Sequence, residues 1–256
     1  NLPYNGRNVL VVGLGPAGYT LAHHLTREGF GVVAVDGLKI EPLPATIVNK
    51  PLRDFTDIYT ELDERLLLGF GGVSEYGITV RWDKNFLTVL YMTLSRNPLL
   101  SIYGGVRFGG TLTLEDAWGI GFDHVAIAAG AGRPTIIDMK NNLSRGIRKA
   151  SDFLMGLQLT GAYKKSSIAN LQVSLPAIVI GGGLTAIDTA TELLAYYPIQ
   201  IEKTAQRYRD LVRQFGDAHV RKLFDDEEWE TLCAHMAHAA ELDAEYGAAN
   251  REGRMP

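Results

Sequence analysis

The run Val9-Leu10-Val11-Val12-Gly13-Leu14-Gly15-Pro16-Ala17-Gly18 decides the fold. Four consecutive apolar residues read as a central parallel strand covered on both faces. The Gly-x-Gly-x-x-Gly pattern at its end is the turn that leads such a strand into a helix. The next stretch, Ala17 to Glu28, has helical patterning and stops at Gly29, a good C-terminal cap. Gly31-Val32-Val33-Ala34-Val35-Asp36 then reads as a second strand. Strand, glycine turn, helix, strand and acid form a complete βαβ dinucleotide unit. In such a unit Gly13 permits the tight turn, Gly15 lets backbone approach a pyrophosphate, and Gly18 allows close helix–strand packing. The helix N-terminus favours phosphates through its open N–H groups and partial positive charge. Asp36 follows at the position that accepts ribose hydroxyls.

A second copy lies far along the chain. Ala177-Ile178-Val179-Ile180 precedes Gly181-Gly182-Gly183-Leu184-Thr185-Ala186, and Leu184 to Ala195 has helical patterning. Asp188 falls one turn into that helix, where its carboxylate complements the helix dipole. Tyr197-Pro198 is expected to break the helix, with Ile199-Gln200-Ile201-Glu202 as a following strand. Glu202 would then be a ribose acid favouring NAD over NADP; the alternative is an exposed charge on a continuing helix. Two nucleotide turns in one chain point to electrons passing between two cofactors.

The fold class expected is therefore α/β, with two Rossmann-like, doubly wound units of parallel sheet, the second inserted into the first and incomplete. Residues 1–165 would be the N-terminal part of the first unit. Residues 166–256 would begin the second and add a charged helical extension, with Asp225 capping a helix from Asp226 to about Glu245. No third or fourth strand of the second unit can be found, so the chain reads as truncated.

Between the two turns the pattern is less regular. Pro42, Pro44 and Pro51 suggest a surface loop, and Thr56 to Leu68 a short helix. Gly69-Phe70-Gly71-Gly72-Val73-Ser74-Glu75-Tyr76-Gly77-Ile78 is too glycine-rich for regular structure, and its backbone can lie against a flat ligand. Lys84 to Arg96 is helical in spacing. Leu99 to Gly105 and Val106 to Leu114 suggest short strands, and His124 to Gly132 a buried strand closing on small residues.

The composition is that of a globular chain of 256 residues, 46% hydrophobic and 21% charged, with a net charge of −4. That charge gives no reason to expect nucleic acid or an anionic membrane as a partner, and no apolar run is long enough to span a bilayer. The start, Asn1-Leu2-Pro3-Tyr4, carries no signal-peptide pattern, so a cytoplasmic location is the default. Cys233 is the single cysteine, so the 256 residues hold neither a disulfide framework nor a redox-active Cys pair.

These motifs together resemble the FAD-dependent pyridine nucleotide-disulfide oxidoreductases. The residues that carry the likeness are Gly13 to Gly18, Gly71 to Ile78, Ala128-Ala129-Gly130-Ala131 and Gly181 to Asp188. Within that superfamily the pattern is most similar to the glutamate synthase small subunit. The resemblance implies FAD in the first unit and NAD or NADP in the second. Gly13, Gly15, Pro16, Ala17, Gly18, Asp36 and Gly37 would take the FAD diphosphate and ribose. Gly72, Val73, Tyr76 and Gly77 would lie along the cofactor, Val106 near the adenine, and Ala129 and Gly130 near its centre. Gly181, Gly183, Leu184, Thr185, Ala186 and Asp188 would serve the pyridine nucleotide. The implied activity is hydride transfer from NAD(P)H to flavin and on to an acceptor not identified, another subunit or domain among the candidates. No catalytic side chain and no metal ligand is singled out, since the cofactors carry the chemistry. His23 and His24 read as surface or packing residues, and Arg81 and Lys84 as basic residues of a solvated loop or near phosphates. The alternatives are a flavin-binding scaffold or electron relay, and an oxygen-using hydroxylase.

Overall fold

In the computed structural model, which describes residues 1–76 and 84–256, four parallel strands form one sheet. They are β1 (Asn8–Val12), β2 (Gly31–Val35), β3 (Leu100–Tyr103) and β4 (His124–Ile127), in the spatial order β3-β2-β1-β4. The helices of this part are α1 (Pro16–Arg27), α2 (Ala45–Val48), α3 (Lys84–Ser95) and α4 (Leu114–Ile120). The order 3-2-1-4 is the first half of a doubly wound nucleotide-binding sheet, and its switch point lies between β1 and β4.

Alternation along β1 builds both faces of the core. Val9 and Val11 pack with Tyr19 and Ala22 of α1 and with Tyr91 and Leu94 of α3. Leu10 and Val12 point the other way, into a cluster with Val35 and Ala117 of α4. Leu10 and Val11 are wholly buried, and each such side chain contributes about 1.5–3 kcal/mol relative to exposure. Helix α1 starts where Pro16 supplies a preset φ at the first helical position. It ends at Glu28, after which Gly29 takes the left-handed conformation (φ +86°).

Several expectations need correction. From Thr56 to Leu68 the described chain is not a helix: only Phe55–Asp57 forms a single 3-10 turn. Tertiary ties override local propensity here, because Thr60 is held by the Asn85 side chain through both its N–H (2.9 Å) and its C=O (3.1 Å). The stretch Val106 to Leu114 is not a strand either. It is a glycine-containing loop with one isolated bridge, Phe108 to Leu112, leading to the Thr113/Asp116 capping box of α4. Strand β4 is an edge strand rather than a buried one, with Ile127 71% exposed.

The chain divides into two compact units, Asn1–Leu143 and Ser144–Pro256. The described part of the second is helical: α5 (Ala150–Leu159), α6 (Leu184–Phe215), α7 (Asp217–Arg221) and α8 (Asp226–Glu252). Helix α8 carries the expected cap, with the Asp225 side chain accepting from the Glu228 amide and Glu228 answering in return. Helix α6 runs unbroken through Pro198, so Ile199–Glu202 is helical and not a strand. The helix survives because residues on either side of the proline are pinned. The Tyr196 hydroxyl donates to Asn170 and accepts from the Leu171 amide, while the Gln200 amide group makes both hydrogen bonds to the Val173 backbone. Ile201, Ala205 and Ala239 bury the contact between α6 and α8. No helix among the described residues is long and apolar enough to cross a membrane.

Candidate dinucleotide site

Register brings the C-terminal ends of all four strands level. Val12 pairs with Val35 and with Ile127, and Val35 with Tyr103. The ladder runs one step further, with Gly13 N–H donating to Val35 C=O (2.7 Å), Ala128 N–H to Val12 C=O (2.7 Å) and Asp36 N–H to Tyr103 C=O (3.0 Å). Gly13, Asp36 and Ala128 therefore stand side by side along one sheet edge, at the switch point where α/β sheets bind ligands.

Two glycines in this turn have no room for a side chain. A Cβ on Gly13 would lie 2.4 Å from the Ala128 carbonyl oxygen and 3.0 Å from Ala129 Cα. One on Gly18 would lie 1.8 Å from the Gly13 carbonyl oxygen. The glycine-rich segment after Phe70 joins them: Gly71 N–H donates to Leu14 C=O (3.1 Å), and a Cβ on Gly72 would sit 2.8 Å from Gly15 Cα. The structure thus gathers Gly13, Gly15, Pro16, Ala17, Gly18, Gly72 and Ala129 from three stretches of sequence. Val73 is exposed and Tyr76 half-buried beside this turn. Gly77, with Arg81, lies outside the described residues.

Asp36 ends β2 within this cluster. Its Oδ2 accepts from the Leu14 amide (2.8 Å) and its Oδ1 from the Leu38 amide (3.0 Å). A carboxylate offers about four lone-pair positions, so acceptor capacity for hydroxyl donors is left over. Val106 sits next to it, donating its N–H to the Asp36 carbonyl (2.9 Å). Gly37 and Gly130 face open space. The N-terminus of α1 has no side-chain cap and no acidic residue in its first turn, which leaves N–H groups for an anion. An adenine dinucleotide fits this donor set: a dipole end for the diphosphate, a carboxylate for the ribose, and glycine backbone on two sides.

Sequence reasoning missed what holds the Gly71–Ser74 turn. Arg65 and Glu75 form a buried, bidentate ion pair, with Nη2 to Oε2 at 2.9 Å. Lys84 is buried as well, and its Nζ donates to the carbonyls of Ser74 (2.9 Å) and Tyr76 (3.1 Å). The expectation of a solvated-loop lysine is thereby overturned. Phe70 stacks between Tyr19 and Tyr91, at 5.5 and 4.9 Å between ring centroids. The dense aromatic and glycine content of residues 69–78 was the only signal in the sequence.

The second glycine turn has less around it. Gly181 adopts φ +140°, and Gly183 is the N-cap of α6, without a side-chain cap. Leu184, Thr185 and Ala186 form the first helical turn and Asp188 begins the second. Ala177–Ile180 forms no strand and has no sheet partner among the described residues, and Ile178 is 86% exposed. Glu202 lies on the continuing helix with Lys165 3.8 Å away. A cavity of about 330 Å³ in this unit, lined by Lys165, Glu202, Lys203 and Arg207 among others, includes none of Gly181–Ala186.

Comparison with known proteins gives the family of the chain. An uncharacterized protein of Rickettsia prowazekii (strain Madrid E) is 48% identical over 209 residues, which is 81% of this chain and 30% of that protein. The mitochondrial NADPH:adrenodoxin oxidoreductase of Salvelinus fontinalis is 23% identical over 223 residues, 86% of this chain and 38% of the relative. The chain thus spans about a third of the length of these two relatives. Among solved structures, a 6-hydroxypseudooxynicotine amine oxidase of Pseudomonas geniculata N1 is similar at 19% identity and a TM-score of 0.37, over 61% of this chain and 20% of that one. The family model for pyridine nucleotide-disulphide oxidoreductases matches residues 7–241, and the chain belongs to that family.

Proposed function

We propose that this chain is the FAD-binding part of a flavin-dependent oxidoreductase that takes hydride from NAD(P)H. The observation that carries the reading is the alignment of Gly13, Asp36 and Ala128 at the β1/β4 switch point, beside an uncapped α1 N-terminus. On this reading the amides of the first turn of α1 bind the diphosphate. Asp36 orients the adenosine ribose, and Gly37 and Val106 border the adenine end. Gly72, Val73 and Tyr76 flank the cofactor on one side, Ala129 and Gly130 on the other. These residues would hold FAD, which when bound would supply the redox chemistry of hydride acceptance and onward electron transfer. The side chains named here bind and orient; none is assigned as acid or base.

A pyridine nucleotide as donor is supported by family membership and by the name of the adrenodoxin oxidoreductase relative. Gly181, Gly183, Leu184, Thr185, Ala186 and Asp188 at the uncapped start of α6 are the residues we place against it. On the motifs Gly71–Ile78 and Gly181–Asp188, we read the chain as similar to the glutamate synthase small subunit within that family. The test is an absorbance titration of the purified chain with FAD, followed anaerobically by NADH and then NADPH. Saturable FAD uptake, with bleaching of the visible flavin band by one nucleotide, supports the full reading. Uptake without bleaching leaves an FAD-binding unit that relays electrons, and no uptake refutes the FAD assignment.

A further inference from the structure

We propose that Arg65 and Glu75 act as a positioning clasp that sets the Gly71–Ser74 backbone against the dinucleotide turn, and so governs how tightly and in what orientation FAD is held. The proposal rests on reading Gly13–Gly18 as an FAD site. Arg65 belongs to an irregular stretch whose preceding turn is closed by Arg65 N–H to the Glu61 carbonyl (2.8 Å). Glu75 follows the single 3-10 turn Gly72–Ser74. The pair therefore closes a loop of nine residues on itself, and inside that loop Gly71 and Gly72 meet Leu14 and Gly15 of the glycine turn, while Phe70 packs on Tyr19 of α1. Both side chains are almost wholly buried, so the planar guanidinium and the carboxylate can be satisfied only in one relative geometry.

The clasp is anchored on two sides. Asn85 of α3 holds Thr60, five residues before Arg65, and Lys84 holds the carbonyls on either side of Glu75. Towards α1, Phe70 stacks on Tyr19 and Gly71 N–H donates to Leu14 C=O. At the end of this chain of contacts Gly72 faces Gly15 backbone to backbone, with no side chain to take up slack. A few tenths of an ångström of drift at Glu75 is passed directly to the wall of the cofactor site. Buried ion pairs of this kind add little net stability over an apolar replacement; what this one supplies is geometry.

The test compares wild type with Arg65→Lys and Glu75→Gln, measuring FAD affinity by fluorescence quenching and the visible circular dichroism of the bound flavin. Both are read well below the melting temperature of each protein. Arg65→Lys keeps the buried charge and loses the two-pronged contact, so it serves even if Glu75→Gln fails to fold. The expected result is a rise in Kd of about tenfold, from the loss of one charged hydrogen bond's positioning effect, with an altered flavin dichroism. Variants that melt earlier yet bind FAD with wild-type affinity and dichroism overturn the clasp and leave the FAD reading standing. A wild-type chain that takes up no FAD overturns that reading, and the clasp with it.

Discussion

Alanine at position 18 tests the packing that the glycine turn demands. Gly18 lies inside α1, and in an ordinary helix a Gly→Ala change stabilises by about 1 kcal/mol. Here the new methyl would start 1.8 Å from the Gly13 carbonyl oxygen and 2.8 Å from its carbon. Both are backbone atoms at the end of β1, and Gly13 is itself held by its N–H to Val35 and hemmed in by Ala128. Relief requires the helix and the strand end to part by more than an ångström. Overpacking of one methyl costs typically about 1–3 kcal/mol, and a rigid backbone neighbour puts this case at the top of that range. After the helix-propensity gain, a net loss of roughly 2 kcal/mol remains. That corresponds to a fall of about 4–8 °C in the melting temperature for a unit of this size.

Gly119→Ala is the matched control. Gly119 lies in α4 and nothing stands within 4 Å of the Cβ it would gain, so the same substitution should raise the melting temperature slightly. Differential scanning calorimetry of the two variants beside wild type decides the matter. A Gly18→Ala protein that melts at or above wild type would refute the close helix–strand packing, and with it the geometry assigned to the turn.

Three further perturbations probe other parts of the molecule. Asp36→Ala removes the acceptor of the Leu14 and Leu38 amides; it should destabilise by about 1–3 kcal/mol and weaken FAD binding about tenfold, and unchanged FAD affinity would remove Asp36 from the site. Hydrogen bonds from the Asn8 amide and the Arg7 guanidinium hold the Asp123 carboxyl below its ordinary range. Its contribution is therefore complete above about pH 4 and lost as the pH falls through the lower folded-state value. Asp123→Asn should flatten the acid limb of the melting temperature, and an unchanged limb would exclude Asp123 as a source. Burial lowers the His235 pKa, opposed by the Val173 carbonyl beside its ring. The neutral ring is favoured in the fold, so the second unit should lose stability as the pH drops below about 6.5. His235→Gln should remove that loss, and an identical pH profile in the variant would contradict it.

How far the sequence could be read depended on whether the deciding contact was local. The βαβ unit from Val9 to Asp36 was legible because Pro16, the glycine turn and Gly29 set its boundaries within a few residues. So was the Asp225/Glu228 cap of α8. The path of α6 was not, since Pro198 is a breaker by every local rule. What overrides it is the grip of Tyr196 and Gln200 on Leu171 and Val173, some 25 residues away in sequence. The Arg65–Glu75 clasp was invisible for a related reason: it joins two irregular stretches with no periodicity to betray which side chains turn inward.

The two glycine turns make the same point in its sharpest form. Val9-Leu10-Val11-Val12 and Ala177-Ile178-Val179-Ile180 are nearly interchangeable as strings, and each precedes glycines and a helix. The first pairs with β2 on one side and β4 on the other, and its side chains are buried. The second forms no strand and has no sheet neighbour among the described residues, with Ile178 and Ile180 at 86% and 61% exposure. A strand's hydrogen bonds go to another segment, so its own composition states only a readiness to pair. Asp36 acquires its role in the same way, because β2 lies beside β1 in register and brings its carboxylate to the Leu14 amide. Glu202, the acid that followed the second turn, lies on a helix and has no such neighbour to bring it back. What separates the two turns is the sheet, and the sheet is the part of a nucleotide site that a motif cannot carry.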